Sequence, residues 1–119
     1  MPTPSTVNSP FNVSRLISAN TTNATVVKSS PGVVGGWALG NINAAVRYLK
    51  VYNKATAPTV GTDTPALTIL IPSMSGNNFY LPKEIKFDTG ISFALTTGIT
   101  DADATAVAAS EIIVNLFYK

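Results

Sequence analysis

Few side chains in this sequence could do chemistry. The 119 residues include no histidine and no cysteine, so the commonest general base and the usual zinc ligands are missing. Among the six carboxylates, Asp101 and Asp103 stand two residues apart, as in half of a calcium-binding loop. The other ligands of such a loop do not follow, so we interpret both as solvated turn residues. We therefore predict no catalytic residue, no metal site, no cofactor and no enzymatic activity, with a glycosidase-type carboxylate pair as the minor alternative.

A glycine-rich stretch surrounds the single tryptophan. Gly35, Gly36 and Gly40 flank Trp37, but neither the Gly-Lys-Ser/Thr ending of a phosphate loop nor a helical pattern follows them. Paired glycines inside an apolar run indicate a β-bulge or the close approach of two backbones. We therefore predict a bulged strand at this position and no phosphate site.

Aromatic side chains are the remaining candidates for a binding site. They could form a platform on which a sugar or a base stacks, but at this density they more often fill a core or a subunit interface. The aromatic residues concerned are Trp37, Tyr48, Tyr52, Phe79, Tyr80, Phe117 and Tyr118. We predict that they lie in the core or at a subunit interface, and we keep the platform for a sugar or a base as an alternative.

The composition predicts β-strands as the elements that position these side chains. Charged residues make up 12% of the chain, about half the usual share, while Thr, Val, Asn, Ser, Gly and Pro favour strands and turns. Ile91–Thr97 alternates between apolar and small or polar residues, as a half-buried strand does. Turn signals separate about eight such segments, and none shows a convincing helical period. The expected fold is all-β: a single-domain, jelly-roll-like β-sandwich of short antiparallel strands with an extended N-terminal arm.

Turn residues and prolines predict several strand boundaries. We expect the best strand at Ala44–Asn53 and a turn around Ser75–Asn77. A proline separates two short strands, Phe79–Leu81 and Glu84–Phe87. The last strand, Glu111–Tyr118, is apolar on both faces, as a central strand or a strand packed against a neighbouring subunit would be.

Arg47 is a basic residue on the apolar-leaning face of its predicted strand. A cation in that setting is usually satisfied by an ion pair, either inside the molecule or at an interface. We expect its partner to be Glu84, Asp88 or Glu111.

The first residues differ in composition from the rest of the chain. Met1–Pro10 is rich in proline and in the turn-forming residues Ser, Thr and Asn, which indicates an extended arm that a partner would order. We divide the chain into an N-terminal arm with docking strands, residues 1–30, and a β-sandwich body, residues 31–119.

Charge and targeting signals limit the expected partners and location. The net charge is +2 and the cations are scattered along the chain, so we expect no nucleic-acid partner. Neither a signal peptide nor an apolar run of about 20 residues is visible, so we expect no membrane contact. We expect synthesis in the cytoplasm, followed by assembly into a larger structure.

Four stretches of the sequence carry a resemblance to a known class of proteins. They are AAVRYLKVYNKATAPTVGTDTP (Ala44–Pro65), LTILIP (Leu67–Pro72), GISFALTTGITDADATAVAA (Gly90–Ala109) and IVNLFYK (Ile113–Lys119). With these stretches the chain resembles short structural proteins of tailed-phage and prophage virions, some of which look like capsid decoration, or cement, proteins. The resemblance implies binding to the major capsid protein on the capsid surface after assembly in the host cytoplasm.

We expect this protein to act through contacts with the capsid and with copies of itself. A homotrimer would bury the apolar outer face of Glu111–Tyr118. The residues expected at the capsid or subunit interface are Phe11, Val13, Leu16, Trp37, Tyr52, Phe117 and Tyr118. The alternatives are a tail, neck or baseplate component, and a carbohydrate-binding module displayed on the virion.

Overall fold

The computed structural model describes residues 11–119, and all regular structure in this range is β, with no helix. The strands are β1 (Asn12–Ile17), β2 (Thr25–Lys28), β3 (Gly32–Asn41), β4 (Arg47–Tyr52), β5 (Leu67–Ile71), β6 (Ser75–Phe87), β7 (Ile91–Thr96) and β8 (Ile112–Tyr118). One four-stranded sheet, sheet A, has the order β1-β8-β3-β6, and a second, sheet B, has the order β2-β7-β4-β5. Every strand pair is antiparallel. The prediction of an all-β chain with about eight antiparallel strands is therefore confirmed.

One hydrophobic cluster draws its residues from both sheets. The two-residue period of a strand turns Val114 and Leu116 of sheet A toward this cluster, and it turns Leu49, Val51 and Phe93 of sheet B toward it as well. All five side chains are fully buried. Because burying one such side chain contributes about 1.5–3 kcal/mol, this shared cluster is the main source of stability for both sheets.

The bulge predicted at the paired glycines is present in β3. The register of β3 shifts between Val34 and Gly36 against both of its neighbours, β6 and β8. Gly36 has a φ of 154°, and a Cβ atom there would collide with the carbonyl oxygen of Phe79. Only glycine fits this position, because it tolerates the positive φ and leaves room for the neighbouring backbone.

The predicted division of the segment around Pro82 is wrong. A single strand, β6, runs from Ser75 to Phe87, and the predicted turn at Ser75–Asn77 is part of it. The register against β3 jumps between Tyr80 and Ile85, so the proline lies where no ladder hydrogen bond is needed. An edge strand tolerates a proline at such an irregularity, which is why Pro82 does not end β6.

The strand predicted at Ala44–Asn53 begins later than expected, at Arg47. The side chain of Asn43 accepts a hydrogen bond from the Ala45 N–H at 2.8 Å, and Asn41 accepts one from the Asn43 N–H at 2.8 Å. Such short-range side-chain bonds compete with a strand ladder and hold residues 41–45 in turns.

The described part of residues 1–30 supplies one edge strand to each sheet. β1 pairs only with β8, and β2 pairs only with β7, so each sheet receives one edge strand from this segment. The predicted arm, Met1–Pro10, lies outside the described residues, and the boundary at residue 30 stays a prediction. β8 lies between β1 and β3, as one of the two explanations for its apolar faces predicted.

Candidate interaction surface

The outer face of sheet A, which we call the open face, consists of rows of side chains that cross all four strands. The register of β1, β8, β3 and β6 sets these rows. They are Phe11–Lys119–Val33–Lys86, Val13–Phe117–Gly36–Tyr80, Arg15–Asn115–Ala38–Asn78 and Ile17–Ile113–Gly40–Gly76. An apolar row thus lies on either side of a row with two amides and a guanidinium. The residues that β3 contributes to three of these rows are small, so side chains protrude little above this strand.

Two aromatic rings meet above Gly36 on the open face. The rings of Tyr80 and Phe117 stack with centroids 5.7 Å apart and an interplanar angle of 13°. They belong to β6 and β8, which β3 separates, and the residue that β3 contributes to this row is Gly36, which has no side chain. Tyr80 is nevertheless 79% exposed, and one surface of the ring pair faces solvent.

A third ring extends this apolar area toward the start of the described chain. Phe11 packs directly on Gly35, where a Cβ atom would collide with the ring. The Nζ atom of Lys119 lies 4.9 Å from the centroid of the Phe11 ring, within the range of a cation–π contact. Gly35 therefore has a role on the surface as well as in the bulge, because the absence of a side chain leaves room for the Phe11 ring.

The opposite end of the open face carries a shallow apolar groove. Ile17, Gly40, Ile42 and Ile113 line it together with residues 110–112. Ile17 is 51% exposed and Ile42 is 70% exposed. Two large aliphatic side chains so close together in solvent are typical of a contact surface.

The outer face of sheet B, which we call the covered face, has the same alternation but a different environment. Tyr48, Lys50 and Tyr52 point away from the core along β4, and Ser92 and Thr96 do so along β7, yet all five are buried. The alternation of Ile91–Thr97 predicts that Ser92 and Thr96 point away from the core. They do so, but solvent does not reach them. Residues 53–66, which follow β4, and residues 97–104, which follow β7, lie over them.

Lys50 of β4 is hydrogen-bonded to the loop that follows β7. Its side chain is fully buried, and its Nζ atom donates hydrogen bonds to the carbonyl oxygens of Thr100 at 2.6 Å and Asp103 at 3.0 Å. Burial lowers the pKa of Lys50, and the nearby charges of Asp103 and Asp101 oppose that effect. The lysine thus acts as a tie between sheet and loop.

The first loop packs against the second and is fixed by its own ion pair. A Cβ atom on Gly61 would lie 3.1 Å from the carbonyl oxygen of Ala102. Lys54 Nζ lies 2.5 Å from Asp63 Oδ2, and the Thr59 N–H donates to the same oxygen at 2.7 Å. The hydrogen bond from Lys54 is the main cause that lowers the pKa of Asp63. The two loops form one continuous cover.

A small polar depression opens where the cover meets β4. It has a volume of about 180 Å³, and Tyr52, Lys54 and Asp63 are among its lining residues. The hydroxyl groups of Tyr52 and Ser92, which are cross-strand neighbours, have no hydrogen-bond partner among the described residues. The ion pair of Lys54 and Asp63 already occupies the charged groups of this depression.

Arg47 makes one of the ion pairs that the sequence suggested, with Glu111. Arg47 Nε lies 2.7 Å from Glu111 Oε2, and the amide of Asn43 donates to Oε1 at 2.7 Å. Burial raises the pKa of Glu111, but the hydrogen bond from Arg47, the backbone hydrogen bond from Ala108, the charge of Arg47 and the hydrogen bond from Asn43 together outweigh it, so the pKa lies below its usual value. The cluster joins the turn before β4 to the start of β8 and is structural.

The structure brings only some of the predicted interface residues together. Phe11, Val13 and Phe117 lie on the open face. The others do not: Leu16, Trp37 and Tyr118 pack against the core from the inner side, and Tyr52 lies under the cover. Tyr52 is 1% exposed, so its side chain offers no surface to a partner. The prediction that Tyr52 contacts a partner therefore does not fit the described fold.

Trp37 is engaged inside the molecule. Its Nε1 atom donates to Asn77 Oδ1 at 3.0 Å, and its ring stacks on Phe79 at 5.9 Å. Asn77 in turn donates to the carbonyl oxygen of Leu70 at 2.9 Å. This chain of contacts joins β3 and β6 of sheet A to β5 of sheet B, which explains why an aromatic residue occupies this edge.

The interface residues predicted from the sequence did not include Tyr80, Ile17 and Ile113, which lie on the open face. Phe79 and Tyr80 are adjacent in β6, so the period of a strand requires that they face opposite sides. That rule could have separated them, but it does not say which of the two lies outside. The outer side of β1 was equally undecided without its register against β8.

The acidic residues do not assemble a metal site. Residues 11–119 contain no group of three or more carboxylates placed to hold an ion. The Asp103 carboxylate accepts the Thr105 N–H at 2.9 Å, and this bond is the main cause that lowers the pKa of Asp103. Asp101 is exposed in the same loop. Both residues lie in a turn, although Asp103 is half-buried.

Comparisons with protein-family models, with curated proteins and with solved structures found no match to this chain. Within residues 11–119 there is no helix of the length and hydropathy that crossing a membrane requires.

Proposed function

We propose that this protein is a virion structural protein of the capsid decoration type, which binds the outer surface of an assembled capsid through its open face. The observation that carries the proposal is the contrast between the two outer faces. Among residues 11–119, the loops of the chain cover the two central strands of sheet B, whereas stacked aromatic rings and isoleucines of sheet A lie in solvent. An apolar area that a chain leaves uncovered is typical of a protein contact surface.

The strand order supports the finer part of the proposal, a jelly roll. In sheets of order β1-β8-β3-β6 and β2-β7-β4-β5, most consecutive strands lie in opposite sheets, and the first and last strands pair. Two four-stranded sheets wound in this way are the arrangement of a double Greek key, which viral capsid and lectin domains use. The four stretches in which the chain resembles short structural proteins of tailed-phage virions favour the first of these classes.

The size of the open face suggests how such binding would work. Strand spacing and rise give the face an area of roughly 450 Å² per copy, below the approximately 800 Å² that each partner buries in a standard interface. A single copy would therefore bind weakly. Self-association into a trimer through surfaces other than the open face, which we also propose, would place several such faces on the shell at once and raise the avidity.

The proposal is tested by locating the protein in purified particles of the virus that encodes it. We expect it to travel with heads after heads and tails are separated, in a copy number that follows that of the major capsid protein. Particles made without it should release their genome at a lower temperature, because a ligand that binds only the assembled shell stabilises it. A few copies per particle, or recovery with tails, would contradict the proposal and favour a tail or baseplate component.

A further inference from the structure

We infer that the open face binds an acidic protein surface, and that the covered face points away from the shell. This inference rests on the proposed function and adds the chemistry and orientation of the contact. The distribution of charge over the described residues carries it.

Cations concentrate on the open face. Arg15 lies in its polar row, and Lys86 and Lys119 lie in the row beside Phe11. Glu84 forms an exposed ion pair with Lys119 at 3.0 Å, whereas neither Arg15 nor Lys86 has an ion-pair partner among residues 11–119. The face therefore carries an excess of positive charge beside its apolar rows.

Three cations away from the open face are already engaged. Arg47 is paired with Glu111, Lys54 is paired with Asp63, and Lys50 is bound to loop carbonyls. These three basic residues serve the fold, whereas Arg15 and Lys86 of the open face remain available to a partner.

Three of the six carboxylates lie on the other side of the molecule. Asp63, Asp101 and Asp103 belong to the cover of sheet B, and Asp101 is exposed there. A shell surface rich in carboxylates would attract the open face and repel the cover. Charge complementarity of this kind sets the orientation of docking and raises the association rate.

The same charges decide against a second copy as the occupant of the open face. Two open faces packed together would bring Arg15, Lys86 and Lys119 of each copy close to like charges, and Glu84, which is already paired with Lys119, would offset only part of that charge. Nucleic acid is also a poor match, because proteins that bind it by charge usually contact many phosphates with clustered cations. The apolar rows and the amides of Asn78 and Asn115 fit a folded protein surface better.

The test uses shells prepared from a genome that lacks the gene for this chain, to which purified protein is added back. We expect the wild-type protein to bind, and we expect a rise in salt from about 50 to about 500 mM to weaken binding about tenfold, since screening shortens the reach of the charges. The variant with both Arg15→Glu and Lys86→Glu should lose about tenfold in affinity at low salt. Both side chains are exposed, so the variant should fold normally.

Matched controls separate this inference from the proposed function. Lys28→Glu changes one charge on β2 of the other sheet, and Tyr80→Ser removes an apolar contact without changing charge. We expect the first to bind like wild type and the second to bind weakly at every salt concentration. If Tyr80→Ser loses binding while the charge-reversed variant binds normally, the inference is wrong and the proposed function stands.

Other outcomes are equally decisive. If the wild-type protein does not bind the shells at any salt concentration, the proposed function is wrong. If it binds a random-sequence DNA duplex or vesicles of anionic lipid as tightly as it binds shells, the partner is not specifically an acidic protein surface, and the inference is overturned.

Discussion

Tyr52 and Tyr80 lie on the outer faces of different sheets, and their environments differ completely. Tyr52 of sheet B is 1% exposed, whereas Tyr80 of sheet A is 79% exposed. Both residues point away from the shared core, so alternation alone does not explain the difference. The long loops after β4 and β7 fold back over sheet B, and no described segment does the same for sheet A. The comparison teaches that direction along a strand does not decide exposure: loops of the chain bury the outward side chains at the centre of sheet B, whereas outward side chains of sheet A stay in solvent.

The largest expected effect comes from truncating the two tyrosines in turn. Tyr52→Ala should lower the free energy of unfolding by about 3–4 kcal/mol, because it removes a large buried side chain beneath the cover. Tyr80→Ala should lower it by less than about 0.5 kcal/mol, because the ring is exposed. Urea denaturation followed by tryptophan fluorescence measures both. Equal losses would remove the distinction between the faces.

A smaller effect is expected from cutting the tie between Lys50 and its loop. Lys50→Met keeps most of the side-chain volume but leaves the carbonyls of Thr100 and Asp103 without their donor, at a cost of about 2 kcal/mol. The loop over sheet B should then exchange its amide hydrogens faster and be cleaved more readily by protease. Lys86→Met on the open face is the matched control, and it should change neither stability nor cleavage.

Acid should weaken the contact between the turn before β4 and the start of β8, because it protonates Glu111. Its folded-state pKa lies below its ordinary value of 4.5, so its contribution to stability is present above that value and is lost as pH falls through the lower folded-state pKa. Glu111→Gln should lower stability at pH 7 by about 1.5 kcal/mol, because it weakens a charge-assisted hydrogen bond. It should also flatten the dependence of unfolding free energy on pH below about 4.5. An unchanged acid slope would show that Glu111 has no such role.

Sequence patterns predicted the strands and the direction of their side chains better than they predicted which loops pack over them. Alternation was sufficient to place Phe93 and Leu95 in the core, and the paired Gly35 and Gly36 were sufficient to predict a bulge. The choice of Glu111 among the suggested partners of Arg47 required the fold. Each of these successes depends on local spacing or on a short list of charges.

The covered face could not be predicted, because alternation gives the direction of a side chain but not what lies above it. The contact between Lys50 and Thr100 joins residues far apart in the sequence, and so does the packing of Gly61 against Ala102. The same limit explains the error at Tyr52. It also explains why Leu16 was assigned to the interface, since the face of β1 depends on its register with β8.

Site-specific labelling on the particle tests most directly which face makes the contact. The chain has no cysteine, so Tyr80→Cys and Ala102→Cys each introduce one thiol, on the open face and on the cover of sheet B. In free protein both thiols should react with a maleimide reagent at similar rates. After binding to shells, we predict that the thiol at position 80 is protected while the thiol at position 102 still reacts. Protection at 102 with free reaction at 80 would contradict the assignment of sheet A as the contact surface.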